Sequence, residues 1–180
     1  MKTRGPVLAA WARAHLRQTL GGPPASRPVE PWCAEPAATF VTLRWTNGQL
    51  QGCIGSLAAV RPIADDVADH VVSAALHDPR TEPIVRDDID NLDLEISLLS
   101  PLEPVELSAV RPGVDGLVLA AHGRRATLLP IMWEQLPDLE TFMRALKQKA
   151  GLSPKFWSDD VKLWRYTTDR YEDPAPARLS

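Results

Sequence analysis

A cysteine lies between two glycines in the segment Gly52-Cys53-Ile54-Gly55. Glycine weakens the interior of a strand, so paired glycines indicate a bulge, a bend or the close approach of another group. Backbone N–H groups that converge at such a bend favour a thiolate or a bound anion. The pattern predicts Cys53 as a nucleophile or thiolate ligand, with Gly52 in the site and the amides of Ile54 and Gly55 as anion donors. The alternative is a small buried cysteine that fills space beside a β-bulge.

A second polar group follows in the segment His77-Asp78-Pro79-Arg80, at the predicted end of a helix. In one interpretation Arg80 clamps an anion with its planar fork of donors, and Asp78 belongs to the same ligand site. In the other, Arg80 caps helix carbonyl groups or forms a structural ion pair. The residues alone leave both interpretations open.

Two further sets of titratable residues give weaker signals. Glu95 lies on the polar face of a predicted strand, where it is a base for Cys53 if the strands are neighbours and otherwise a solvated carboxylate. His70 and His77 share a predicted helix, but their spacing of seven residues separates them by about 10 Å. One zinc ion cannot bridge that distance, because its nitrogen ligands lie about 2 Å from the metal. The sequence predicts no metal site and no cofactor.

Residue spacing also predicts the elements that position these side chains. Asn47-Gly48 is a strong hairpin signal that joins strands over 39–46 and 49–54. A helix follows over 62–77, since Pro62 suits the first helical position. Further helices are predicted over 7–20 and 139–150, and further strands over 92–99, 117–121, 125–129 and 161–168.

Hairpins interleaved with helices, without strict βαβ repetition, predict an α+β fold with a largely antiparallel sheet and flanking helices. For 180 residues a single domain over 1–172 is expected, strand-rich over 37–60 and 92–135. The Pro/Ala-rich end over 173–180 is predicted to be a disordered tail. The proline-rich stretch 23–36 is typical of a long surface loop.

The composition disfavours several classes of protein. The formal net charge of −3 lacks the basic character of a general nucleic-acid binder. No stretch approaches the roughly 20 apolar residues that span a bilayer. The N-terminus lacks the apolar core of a signal peptide, so a cytoplasmic location is expected. The two cysteines, Cys33 and Cys53, form no CxxC motif, and a disulfide between them is not expected there.

Several motifs together resemble one known family. The segment over 50–55, Leu-Gln-Gly-Cys-Ile-Gly, resembles the Leu-Arg-Gly-Cys-Ile-Gly signature of the AMMECR family, also called AmmeMemoRadiSam system protein A. Asp78-Pro79-Arg80 is similar to the family's Asp-Pro-Arg-Phe. The likeness covers about residues 7–170 and continues in order through the segments 61–68, 94–99, 112–117, 128–130 and 149–152.

The resemblance implies a fold of a larger and a smaller lobe, with the cysteine signature at the cleft between them. Such proteins are typically encoded beside a Memo-like protein and a radical S-adenosylmethionine enzyme, which are therefore the expected partners. Two departures concern the site: Gln51 stands where the family has arginine, and Thr81 where it has phenylalanine. Gln51 can hydrogen-bond to an anion but supplies no charge.

Two functional hypotheses follow, and whether the chain is an enzyme stays open. The first is a Cys53-centred site for an anionic small molecule in that cytoplasmic pathway. The second is a non-catalytic adaptor in which Cys53 is structural and the cleft, or the 23–36 segment, binds a partner protein.

Overall fold

A computed structural model describes residues 1–178, which form two compact units. Unit 1 comprises Met1–Leu99 with the segment from Asp169 onward, and unit 2 comprises Ser100–Thr168. Single-domain organisation over 1–172 stays a prediction. The helices are α1 (Arg4–Thr19), α2 (Ile63–Leu76) and α3 (Leu139–Lys149), and the strands are β1 (Pro36–Ala37), β2 (Thr39–Trp45), β3 (Leu50–Gly55), β4 (Arg61–Pro62), β5 (Leu92–Leu99), β6 (Glu103–Pro104), β7 (Gly116–Ala121), β8 (Arg124–Leu128), β9 (Lys162–Tyr166) and β10 (Thr168–Asp173).

Unit 1 contains a four-stranded sheet in the order β10-β5-β2-β3, with β2 antiparallel to both of its neighbours. Strict alternation along β2 sends Val41 and Leu43 to one face, where they join a core with α1 and α2. Thr42 and Arg44 therefore point to the other face. The largely antiparallel α+β fold confirms the prediction from the sequence.

Unit 2 contains a second four-stranded sheet in the order β6-β9-β7-β8, with α3 packed against it. The hairpin between β7 and β8 turns at His122 and Gly123, both with positive φ. Asp138 caps α3 by accepting the N–H of Thr141 at 2.8 Å. No helix among residues 1–178 has the length and apolar character to cross a membrane.

The C-terminal segment differs from the prediction in two ways. The strand predicted over 161–168 corresponds to β9, whereas the next strand, β10, which joins the sheet of unit 1, was not predicted. The disordered tail predicted over 173–180 is wrong for 173–178, where the buried Ala175 donates its N–H to Asp93 at 2.8 Å. Composition could not reveal this, because the acceptor lies far away in the chain. Residues 179–180 lie outside the described part.

Candidate functional site

The strand that carries Cys53 contains a bulge one residue before Gly52. Leu43 of β2 pairs with Gly52, but the next residue, Arg44, pairs with Leu50, so Gln51 is an extra residue in β3. Bulges re-aim side chains and are enriched beside functional sites. A bulge was one of the predicted outcomes of the glycine pattern, and it lies at Gln51.

Gly52 and Gly55 provide space for neighbouring groups. A Cβ at Gly52 would lie 2.0 Å from the carbonyl oxygen of Ala74 in α2, and one at Gly55 would lie 2.3 Å from the ring of Phe40. Neither glycine has a positive φ, and β3 runs through both. The prediction that they bend the backbone so that successive N–H groups converge is therefore wrong, because N–H groups along an extended strand alternate between its two edges.

Three side chains from the loop after α2 bind the outer edge of β3. The carboxylate of Asp78 accepts the N–H of Cys53 at 3.0 Å, and Nη2 of Arg80 donates to the carbonyl oxygen of Cys53 at 3.3 Å. The hydroxyl of Thr81 donates to the carbonyl oxygen of Gln51. Since β3 is an edge strand, these bonds take the place of a neighbouring strand. We call Asp78, Arg80 and Thr81 the β3 clamp.

Asp78 and Arg80 also form a bidentate ion pair, with Nε 2.9 Å from Oδ1 and Nη2 2.6 Å from Oδ2. The side chain of Asp78 is 0% exposed, whereas that of Arg80 is 57% exposed. The hydrogen bonds from Arg80, together with the N–H of Cys53, hold the pKa of Asp78 well below its usual range. The hydrogen bonds between the two side chains also raise the pKa of Arg80. The sequence left open whether Arg80 clamps an anion or forms a structural ion pair, and the structure shows the ion pair with Asp78.

The thiol of Cys53 lies on the sheet face opposite the helices, half-buried. Directly across on β2, Thr42 donates its hydroxyl hydrogen to Sγ at 3.2 Å. Thr42 is also paired with Glu95 of β5, so these three residues form a row across three strands. Thr42 thus separates the thiol from Glu95, whose carboxylate is bound to Arg170 at 3.0 Å and to Ser97 at 3.1 Å.

Gln51 points away from this face into the interior of unit 1. Its Oε1 accepts the indole N–H of Trp45 at 2.9 Å, and its Nε2 donates to the carbonyl oxygens of Ala75 at 3.3 Å and Glu82 at 2.7 Å. Gln51 was expected to bond to an anion, and this is wrong. Its amide donors are bonded to carbonyl groups at the end of α2 and in the loop that carries the β3 clamp. Gln51 instead ties that loop to the bulge.

Electrostatics differ between the two sides of β3. A pocket of about 470 Å³ lies beside the loop that carries the β3 clamp, and its lining includes Arg80, Glu82 and Asp88. Arg80 is neutralised by Asp78, so the remaining carboxylates do not favour an anion there. On the thiol face, Arg44 lies two residues from Thr42, is exposed, and forms no ion pair among residues 1–178. The guanidinium group of Arg80 lies 3.3 Å from the carbonyl oxygen of Cys53. Arg44 is a second positive charge, on the same sheet face as the thiol, that the sequence did not single out.

The two cysteines occupy different environments, and both are free thiols. Cys33 lies in a 3-10 turn over Pro31–Ala34 and is 1% exposed. Burial, reinforced by the neighbouring carboxylate of Glu30, raises the pKa of the Cys33 thiol. Cys33 is therefore an internal reference for an unreactive cysteine in the same chain.

A model of the AMMECR1 family matches residues 9–171. The chain belongs to the AMMECR1 family. It is 38% identical to a Thermotoga maritima protein over 138 residues, 76% of this chain and 78% of that protein. It is 34% identical to protein TK0174 of Thermococcus kodakarensis over 170 residues, 86% of this chain and 80% of the relative. The crystal structure of the uncharacterized protein PH0010 from Pyrococcus horikoshii matches with a TM-score of 0.87 at 29% identity, covering 96% of this chain and 93% of that one.

In this AMMECR1-family protein the two recognised motifs meet, because Asp78 and Arg80 hold the backbone of Cys53. The other candidate donors are arranged differently. The N–H and carbonyl groups of Cys53 both face the β3 clamp. Because these groups alternate between the two edges of a strand, the N–H of Ile54 faces β2, where Ile54 pairs with Val41. Thr42 was missed by the sequence analysis, although the alternation of β2 places it on the polar face. The family names describe no activity.

Proposed function

We propose that this AMMECR1-family protein uses Cys53 as a nucleophile or thiolate ligand for an anionic small molecule. The proposal is carried by one observation, the donation of the Thr42 hydroxyl to the half-buried Sγ of Cys53 at 3.2 Å. A hydroxyl donor compensates negative charge on sulfur, and the β3 clamp holds the backbone that carries the thiol. Arg44 supplies the attraction for an anion on the same face.

The nucleophilic form of the proposal is a simple displacement. Thiolate sulfur forms a bond to an electrophilic carbon, and the leaving group departs with the electron pair of the broken bond. Family membership supports the wider setting that we propose, a cytoplasmic pathway with a Memo-like protein and a radical S-adenosylmethionine enzyme as partners.

Iodoacetamide labelling of the native protein tests the thiol directly. We expect Cys53 to react at least about tenfold faster than Cys33, because thiol reactivity follows exposure and thiolate character. Mass spectrometry of the two cysteine peptides measures both rates in one sample. Cys53→Ser is the control, since it removes the label site and keeps the shape. A native protein in which Cys53 stays unlabelled would contradict the proposal.

Thr42→Val tests the hydrogen bond to sulfur, because valine keeps the shape of threonine and lacks the hydroxyl. A net hydrogen bond contributes about 1 kcal/mol, so labelling of Cys53 should slow about fivefold. Labelling of Cys33 should not change, which controls for a general loss of structure. Equal Cys53 rates in the variant and the parent protein would show that Thr42 is only a packing residue.

A further inference from the structure

Unit 2 holds an exposed tryptophan on a supported turn. Trp157 is 51% exposed, whereas its neighbour Phe156 packs against the core of unit 2 and meets the ring of His122 edge-on, with centroids 5.3 Å apart. The ammonium group of Lys147 lies 5.2 Å from the centroid of the Trp157 ring and 3.3 Å from the carbonyl oxygen of Pro154. The turn therefore directs Phe156 inward and presents Trp157 outward over a cation–π contact.

Two grooves flank Trp157. One has a volume of about 410 Å³ and reaches Trp164, and the other has a volume of about 590 Å³ and reaches Leu139 and Met143. Leu107 and Trp157 line both grooves. Each groove is large enough for one apolar side chain of a partner, and the shared wall fixes their spacing.

The charge at the rims of these grooves is opposite to that of the whole chain. The chain has a net charge of −3, yet three lysines line the grooves. Two carboxylates also line the grooves. Glu140 is bound to Arg144 at 2.9 Å, whereas Glu106 forms no ion pair among residues 1–178. Asp159 and Asp160 follow Trp157 in the chain but line neither groove. The lysines are Lys147, Lys155 and Lys162.

We propose that this surface, formed by Leu107, Met143, Lys155, Trp157 and Lys162 and here called the Trp157 surface, binds an acidic peptide segment of a partner protein. Two apolar side chains of the peptide fill the two grooves, and its carboxylates meet the lysine rims. An exposed tryptophan between pockets is a typical binding hot spot.

Single-stranded nucleic acid fits the Trp157 surface less well than a peptide does. Its bases stack on successive exposed aromatic side chains, whereas of the two tryptophans that line the grooves Trp164 is half-buried and Trp157 alone is largely exposed. The net charge of −3 also opposes a polyanion. The proposal is independent of the chemistry at Cys53.

Selection from a displayed library of random 12-residue peptides tests the proposal, with the full chain as target and Trp157→Ala as counter-target. We expect the retained peptides to be rich in Asp and Glu and to carry two apolar residues. A synthetic, fluorescein-labelled copy of the most enriched peptide should bind at least about tenfold more weakly to Trp157→Ala in fluorescence anisotropy. Because Trp157 is half-exposed, its replacement should leave the fold intact, which circular dichroism checks.

Two charge-reversed variants, one in the Trp157 surface and one outside it, distinguish binding at this surface from attraction by the charge of the whole chain. Lys155→Glu should weaken binding of the peptide about fivefold and reduce its salt dependence, whereas the matched Lys2→Glu, at an exposed position in unit 1, should not. The proposal is overturned if selection yields no acidic peptide, or if both lysine variants behave alike. Tighter binding of a 12-nucleotide oligo(dT), or self-association that Trp157→Ala abolishes in analytical ultracentrifugation, would also overturn it.

Discussion

Each unit contains a buried aspartate paired with a half-exposed arginine, and the two pairs hold different parts of the chain. The side chains of Asp78 and Asp115 are both 0% exposed, and those of Arg80 and Arg111 are 57% and 52% exposed. Asp78 reaches across 25 residues of sequence to the N–H of Cys53. Asp115 accepts the N–H of Arg111 at 2.9 Å and closes its own turn.

The comparison shows that the ion pair alone does not indicate function. We call the segment from Arg111 to Asp115 the β7 turn. Its Asp115 carbonyl oxygen also accepts the indole N–H of Trp133 at 2.7 Å, and this bond anchors the core of unit 2. The β3 clamp instead holds the backbone of Cys53, which is half-buried. Of the two pairs, the β3 clamp is therefore the one that adjoins the residue we propose as a nucleophile.

The largest expected difference between the two regions concerns their glycines. Gly52→Ala should lower the free energy of unfolding by about 3 kcal/mol, because its Cβ would overlap the fixed backbone oxygen of Ala74 in α2. Gly113→Ala, in the β7 turn, should cost only about 1 kcal/mol, since there the strain comes from a φ of +79° and nothing lies within 4 Å. Urea unfolding of the two variants measures both costs. Equal costs would mean that α2 can move away from β3.

Replacing each aspartate by asparagine sharpens the comparison. Asp78→Asn and Asp115→Asn should each lower the free energy of unfolding by about 2 kcal/mol, because each loses charge-assisted hydrogen bonds. Only Asp78→Asn should accelerate hydrogen exchange in the peptide over 50–55, by about tenfold, since the N–H of Cys53 loses its charged acceptor. Exchange mass spectrometry distinguishes them. Faster exchange over 50–55 in Asp115→Asn would indicate global loosening and not a local clamp.

The parts of the fold that the sequence predicted are those with local signals. Alternation over 92–99 predicted β5 without error, and Asn47-Gly48 correctly predicted the β2–β3 hairpin. The glycines near Cys53 were recognised as unusual, and the close approach of another group was one of the three explanations given for them. Crowding at Gly52 comes from α2, which is distant in sequence, so the pattern could not separate a bend from a close approach.

The site was predicted incompletely for the same physical reason. Cys53, Asp78 and Arg80 were singled out, but the bonds that unite them cross the edge of the sheet and depend on register. Thr42 could be placed on the polar face by alternation, yet its position opposite Cys53 follows from the bulge at Gln51. A one-residue shift in pairing sends every following side chain to the other face, so this detail requires coordinates.

The smallest expected effect is the acid sensitivity that the β3 clamp adds to the fold. A carboxylate whose pKa is lowered on folding stabilises the folded state above its unfolded pKa of about 3.9, and this stabilisation is lost as the pH falls below that value. Between pH 5 and pH 3 the parent protein should therefore lose about 1 kcal/mol more stability than Asp78→Asn, which has no carboxyl group to titrate at this position. Urea unfolding at the two pH values measures the difference, and every other carboxylate is common to both proteins. Parallel losses would mean that Arg80 does not hold Asp78 in its charged form, and the β3 clamp would then be an ordinary loop contact.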